Sequence, residues 1–215
     1  MNETDKKDNS IEIKEGPQAA SPKGGKHEKE PDKKAFRRSA FRWVLDIAIA
    51  VVIAFLITLM IRPTVVRETS MVPNIEPGDY LLINRMAYKG SKTPQKGDVI
   101  VFKSDLTTES GKKKLLIKRV IGVPGDEISI RDGNVYINGV EDNQSYTRDG
   151  YTSSYVEDFV VPEGCYFVMG DNRIVSMDSR NPEVGAVPKD RIVGKVVIRL
   201  FPFRRFGVLK SPYNN

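Results

Sequence analysis

The sequence predicts a mostly β protein, in which one N-terminal transmembrane helix is followed by an extracytoplasmic all-β domain of packed antiparallel sheets. Three observations predict this. A 19-residue apolar run, Trp43 to Ile61, stands directly behind a basic cluster. Beyond it, short alternating or apolar stretches recur, DYLLINRMAY, DVIVFKS, KLLIKRVIGV, DEISIRDGNVYING, CYFVMGD and RIVGKVVIRLF, separated by Gly, Pro and Asp. No helical pattern of ten or more residues and no internal repeat follows the run.

Residues 1–42 are expected to form a disordered basic tail on the cytoplasmic side. Up to about residue 35, Lys, Glu, Asp, Ser, Pro and Gly follow one another with no apolar period. Lys33, Lys34, Arg37, Arg38 and Arg42 then supply the basic cluster. Residues 43–61 are the predicted span: 19 residues at about 1.5 Å each cover roughly 28 Å, close to the hydrocarbon thickness. Asp46 lies near the basic end, four residues from Arg42, where pairing or headgroup exposure lowers its cost. Positive charge before the span places the N-terminus in the cytoplasm and residues 62–215 outside. A cleaved signal peptide would be followed by small residues, whereas Met60, Ile61, Arg62 and Pro63 stand here. A buried core helix fits less well, because the run has no polar face.

Within residues 62–215 the sharpest local signal is Asp132-Gly133 between EISIR and NVYIN. A type I′ hairpin turn needs positive φ at both centres, and this dipeptide tolerates it.

The chain has 215 residues, a net charge of +6, one His and one Cys. The histidine, His27, lies in the polar stretch SPKGGKHEKEPDKK, too poor in apolar residues to be ordered by burial. This argues against a Ser-His-Asp triad and weakens zinc chemistry, which draws on several His or Cys ligands. No cofactor and no metal are expected. Cys165, in PEGCYFVMG, reads as a small core residue on a strand, with a reactive or intermolecular thiol as the alternative.

Three stretches carry chemistry. Ser70, in VVRETSMVPNIEPGDYLLI, lies nine residues beyond the span, before an irregular segment set by Pro73 and the Glu76-Pro77-Gly78-Asp79 turn. Alone, a serine before a turn is usually structural. In LLIKRVIGV a strand places Leu116, Lys118 and Val120 on one face and Arg119 on the other. Burial without a carboxylate lowers a lysine pKa, so Lys118 can accept a proton near neutral pH. Its bland counterpart is an edge-strand lysine whose stem reaches water. A hydroxyl nucleophile needs a base, and this domain has no histidine to supply one. The third stretch, Met169 to Arg180, packs two Asp, two Arg, two Ser and an Asn behind an apolar run, either to orient a neighbour or as a solvated turn.

TSMVPNI around Ser70, KRVIGVPGD around Lys118, and MGDNRIVSMDSR together, in this order behind an anchor, resemble the bacterial type I signal peptidases. GDVIVF and Val193-Gly194-Lys195 add to the likeness, which runs from the span to the C-terminus. The resemblance implies an all-β catalytic domain on the outer face of the membrane that cuts signal peptides from exported preproteins after small residues. It implies Ser70 as nucleophile, Lys118 as base, Ser176 as the hydroxyl orienting Lys118, and Asp178 with Arg180 as a supporting ion-pair region. Signal peptides and membrane lipid are the expected partners, and nucleic acid is not.

Two positions depart from the family pattern. Asn74 stands where Thr is common, and Glu68 stands two residues before the nucleophile, where Gly or Ser is usual. A carboxylate pointing inward there would repel a developing oxyanion, so only the Ser70 N–H is assigned to the oxyanion hole. The competing readings are a dedicated peptidase of narrow range, a self-cleaving Ser/Lys protease of the SOS-repressor type, and a non-enzymatic tethered β domain. The cluster Phe201-Pro202-Phe203-Arg204-Arg205-Phe206 suits either a bilayer surface or packing under a terminal strand.

Overall fold

The computed structural model describes residues 33–213, with side chains from Phe41 onward. Of the disordered tail expected over residues 1–42, residues 1–32 lie outside the described residues, and residues 33–42 are helical instead. Helix α1 spans Lys33–Met60, ten residues earlier than the predicted start of the span. No Gly or Pro interrupts this stretch, and its Ala, Arg and Lys are good helix formers, so the basic cluster is helical as well. Residues Phe41–Met60 are long and apolar enough to cross a membrane, and none is buried. The helix ends one residue before the predicted limit. Pro63 biases Arg62 toward extended backbone, and Ile61 opens a strand instead.

The strands are β1 (Ile61–Val65), β2 (Tyr80–Asn84), β3 (Val99–Thr107), β4 (Lys113–Gly122), β5 (Glu127–Arg131) and β6 (Asn134–Ile137). They continue as β7 (Val140–Glu141), β8 (Val156–Val160), β9 (Cys165–Met169), β10 (Val187–Pro188), β11 (Ile192–Phe201) and β12 (Gly207–Val208). Eight of them form one sheet in the order β1-β2-β11-β3-β4-β9-β10, with β12 paired to β11. The other four form a second sheet in the order β7-β6-β5-β8. Every pairing is antiparallel.

The second sheet is built on the predicted hairpin. Arg131 faces Asn134 across Asp132 and Gly133, whose φ values of 53° and 83° are those a type I′ turn requires. A second turn of the same kind, Asn138-Gly139 with φ of 52° and 77°, joins β6 to β7. Sequence reading ran through it as part of one stretch.

The alternation seen in the sequence becomes burial. Ile128, Ile130, Val135, Phe167 and Met169 form one apolar cluster, against which half-buried Cys165 packs. Val66, Met71, Ile75, Leu81, Ile83 and Val101 form another. A third gathers Ile100, Phe102, Leu116, Val120, Tyr166 and Val168. Of the two readings of the late aromatic cluster, packing under a terminal strand is not found: Phe201, Phe203 and Phe206 are 46%, 81% and 63% exposed. Tyr80, Phe201 and Phe203 instead stack edge to face at the surface.

Candidate active site

Strand β4 carries the first candidate side chain. Its alternation puts Lys118 on the face shared with Leu116 and Val120, opposite Ile100 of β3. Lys118 is only 2% exposed and makes no ion pair among the described residues. Burial disfavours its ammonium form and pushes the pKa down to about 8, against smaller opposing pulls from Asp178 and then Glu68.

Ser70 sits on a turn pinned from two sides. Met71 and Ile75, at 1% and 0% exposure, plug the turn into the core, and Ile75 N–H donates to Met71 O at 2.9 Å. From the loop after β9, Asn172 N–H donates to Ser70 O at 3.0 Å and its side-chain amide to Thr69 O at 3.2 Å. The result brings Lys118 Nζ to 2.6 Å from Ser70 Oγ. The ammonium donates in this bond; once the amine is neutral, the same contact lets Ser70 O–H donate to Nζ.

Of the other predicted residues, Asp178 and Arg180 meet. Arg180 Nε donates to Asp178 Oδ1 at 2.8 Å, and fully buried Asp178 also accepts from Gly170 N–H at 2.9 Å. The guanidinium therefore neutralises the carboxylate whose charge otherwise acts most strongly on Lys118. Ser176 differs from expectation. Its Oγ is buried with no hydrogen-bond partner among the described residues, so the expected bond to Lys118 is not formed. The hydroxyl lies over Gly170, where an added Cβ would overlap both Ser176 Oγ and the Ser70 carbonyl oxygen. Glycine at this position is what allows the two serines to close around the strand end.

Glu68 does not stand alone beside Ser70. Its carboxylate bonds Lys114 Nζ at 2.9 Å. Asn74, the other departure, donates from Nδ2 to Tyr146 O at 2.7 Å and to Asp171 Oδ2 at 2.9 Å. Asp171 is in turn held by Arg119, with Nε to Oδ1 at 2.8 Å and Nη2 to Oδ2 at 2.6 Å, while Nη1 reaches Gly97 O at 3.0 Å. Sequence reading missed this clamp. Arg119 and Asp171 are 52 residues apart, and nothing local links them.

A cleft of about 650 Å³ opens at Ser70 and Lys118, with Val66, Met71, Val101 and Leu116 among its apolar lining. Along it, β4 pairs with β3 on one side, but on the other it meets β9 only from Arg119 onward. Residues 113–118 thus present a strand edge with no partner among the described residues. Such an edge accepts an extended peptide by backbone hydrogen bonds.

Residues 40–201 match the family model for signal peptidase, peptidase S26. Over 196 residues the chain is 33% identical to signal peptidase IB of Staphylococcus aureus (strain MRSA252), covering 83% of this chain and 98% of the relative. It is 37% identical over 187 residues to signal peptidase I of Bacillus licheniformis, covering 82% and 95%. A crystal structure of a signal peptidase I from Enterococcus faecalis V583 is 34% identical, with a TM-score of 0.37, over 49% of this chain and 98% of that one.

Proposed function

The chain belongs to the signal peptidase family, peptidase S26, and from that premise we propose that Ser70 is the nucleophile and Lys118 the general base of a serine endopeptidase that removes signal peptides from secreted preproteins. The observation that carries the assignment is the 2.6 Å contact between Ser70 Oγ and a buried lysine that no carboxylate pairs. Neutral Lys118 takes the Ser70 proton as Oγ attacks the scissile carbonyl, and returns it to the leaving amine. Water, deprotonated by the same amine, then hydrolyses the acyl-enzyme ester.

Ser70 N–H, which makes no hydrogen bond among the described residues, is the proposed donor to the oxyanion. Ser176 is proposed to take a hydrogen bond from Lys118 once the lysine becomes an ammonium, a role suited to a buried hydroxyl with no other partner. Asp178 and Arg180 are the proposed support for that loop. The substrate's extended segment is proposed to lie along the open edge of β4.

The topology follows the same family reading. Residues 43–60 anchor the chain as a single span, the basic cluster before them keeps the N-terminus in the cytoplasm, and the β domain, residues 61–215, works outside. Anchoring enzyme and preprotein in one plane raises their effective concentration. The exposed rings of Phe201, Phe203 and Phe206 beside Arg204 support contact with lipid headgroups.

The test is processing of a preprotein in detergent by the wild type, Ser70→Ala and Lys118→Ala. Both variants are expected to be inert, and undiminished cleavage by either removes that residue from the mechanism.

A further inference from the structure

The rim of the Ser70 cleft carries charge that the dyad does not use. Arg62, Arg67, Glu68 and Lys114 all line the cleft. Glu68 and Lys114 pair at 2.9 Å while remaining 59% and 38% exposed. Arg62 and Arg67 make no ion pair among the described residues. Apart from Lys118, the lining of the cleft thus carries three cations and one carboxylate.

Their place along the groove is set by the strand. Lys114 lies four residues before Lys118 on the same face of β4, and Glu68 lies two residues before Ser70. At about 3.3 Å per residue the Lys114 position is roughly 13 Å from that of Lys118, the reach of about four residues of an extended peptide. Half-exposed ion pairs are weakly held. A carboxylate on a bound peptide thus competes with Glu68 for Lys114, whereas a peptide cation meets three like charges and one opposite one.

We propose that this rim is a charge filter on the substrate: at a position within about four residues of the scissile bond, the enzyme favours an acidic over a basic side chain. Lys114 is the attracting group and Glu68 its internal competitor. The inference rests on the reading that the peptide lies along β4 beside Ser70. The Glu68 departure from the family pattern then bears on substrate range and not on the oxyanion.

The experiment uses the full-length protein in neutral detergent and matched peptides carrying Glu, Gln or Lys at each position from four before to four after the cut. The quantity read is the ratio of kcat/KM for Glu over Lys within one enzyme preparation, so that loss of folded enzyme cancels. The wild type is expected to give a ratio of about five at one position. Lys114→Gln brings it close to one, and Glu68→Gln raises it above the wild type by removing the competitor. A ratio of one throughout, or both variants moving it the same way, overturns the filter. So does a preference that appears only on anionic phospholipid vesicles and vanishes in neutral detergent, which assigns the cations to lipid phosphate. If the filter fails while Ser70→Ala stays inert, the dyad stands; cleavage by Ser70→Ala removes the dyad and this inference together.

Discussion

Lys118 and Arg119 are neighbours on one strand and equally shielded from water, at 2% and 3% exposure, but their surroundings differ in one respect. Arg119 points to the face where Asp171 waits with both oxygens; Lys118 points to the face where only a hydroxyl does. Burial works against the charge of each. For Arg119 the Asp171 hydrogen bonds and charge more than offset it, and the guanidinium is held even more firmly charged than in water. For Lys118 nothing comparable is present and the pKa falls to about 8. A buried cation with a carboxylate is held charged, and one without is more easily made neutral.

The largest effect expected from this contrast is on turnover. Lys118→Met should lower kcat/KM by about 10³-fold or more, the usual contribution of a positioned general base together with an activated nucleophile, as read by peptide cleavage. The same variant should be more stable than the wild type. Unfolded, the lysine titrates near 10.5, and folded near about 8, so between those pH values folding expels a proton. The penalty grows as pH falls from 10.5 to about 8 and is constant below, reaching on the order of 3 kcal/mol. Denaturant melts should therefore show Lys118→Met stabilised at pH 7, with the gain shrinking toward pH 10; no gain would break the comparison at its root.

Arg119→Met should do the opposite, costing about 3–5 kcal/mol by leaving Asp171 buried and uncompensated, as measured by the same melts. Gly170→Ala comes next. Displacing Ser70 and Ser176 by a fraction of an ångström should lower kcat by about 10²-fold with a smaller loss of stability, about 1–3 kcal/mol. The smallest effects lie in the pH profile. Wild-type activity should fall as pH drops through about 8, because protonated Lys118 cannot accept. Glu68→Gln should move that limb to lower pH and Lys114→Gln to higher pH, since these charges act on Lys118 in opposite senses. A limb unmoved by either would separate the ion pair from the base.

What the residues alone revealed was mostly what depends on near neighbours; the Ser70–Lys118 pair, 48 residues apart, was reached through the missing histidine and the family motifs. The Leu116-Lys118-Val120 alternation and the Asp132-Gly133 turn lie within a few residues of chain, as does the Asp178–Arg180 pair that the family resemblance implied. What escaped depends on which strands meet. The Arg119–Asp171 bond exists because β4 and β9 are adjacent, and the Asn74 bond to Asp171 joins residues 97 apart. Ser176 shows the same limit. Its motif placed it in the right loop, but the direction of its hydroxyl was decided by the packing around Gly170. Helix α1 began early because propensity in its basic half outweighed polarity.

A strand edge open to the peptide proposed above is open to any strand, including one from another copy of the same molecule. Residues 113–118 of β4 are such an edge, and sheets growing from edge to edge are a route to aggregation. Lys112, Lys113 and Lys114 stand at the point where a second sheet would begin to pair, with Lys113 60% exposed. Charged lysines at the start of an open edge work against its pairing with a second sheet. Replacing all three lysines with neutral residues is therefore expected to make the protein more prone to associate along this edge.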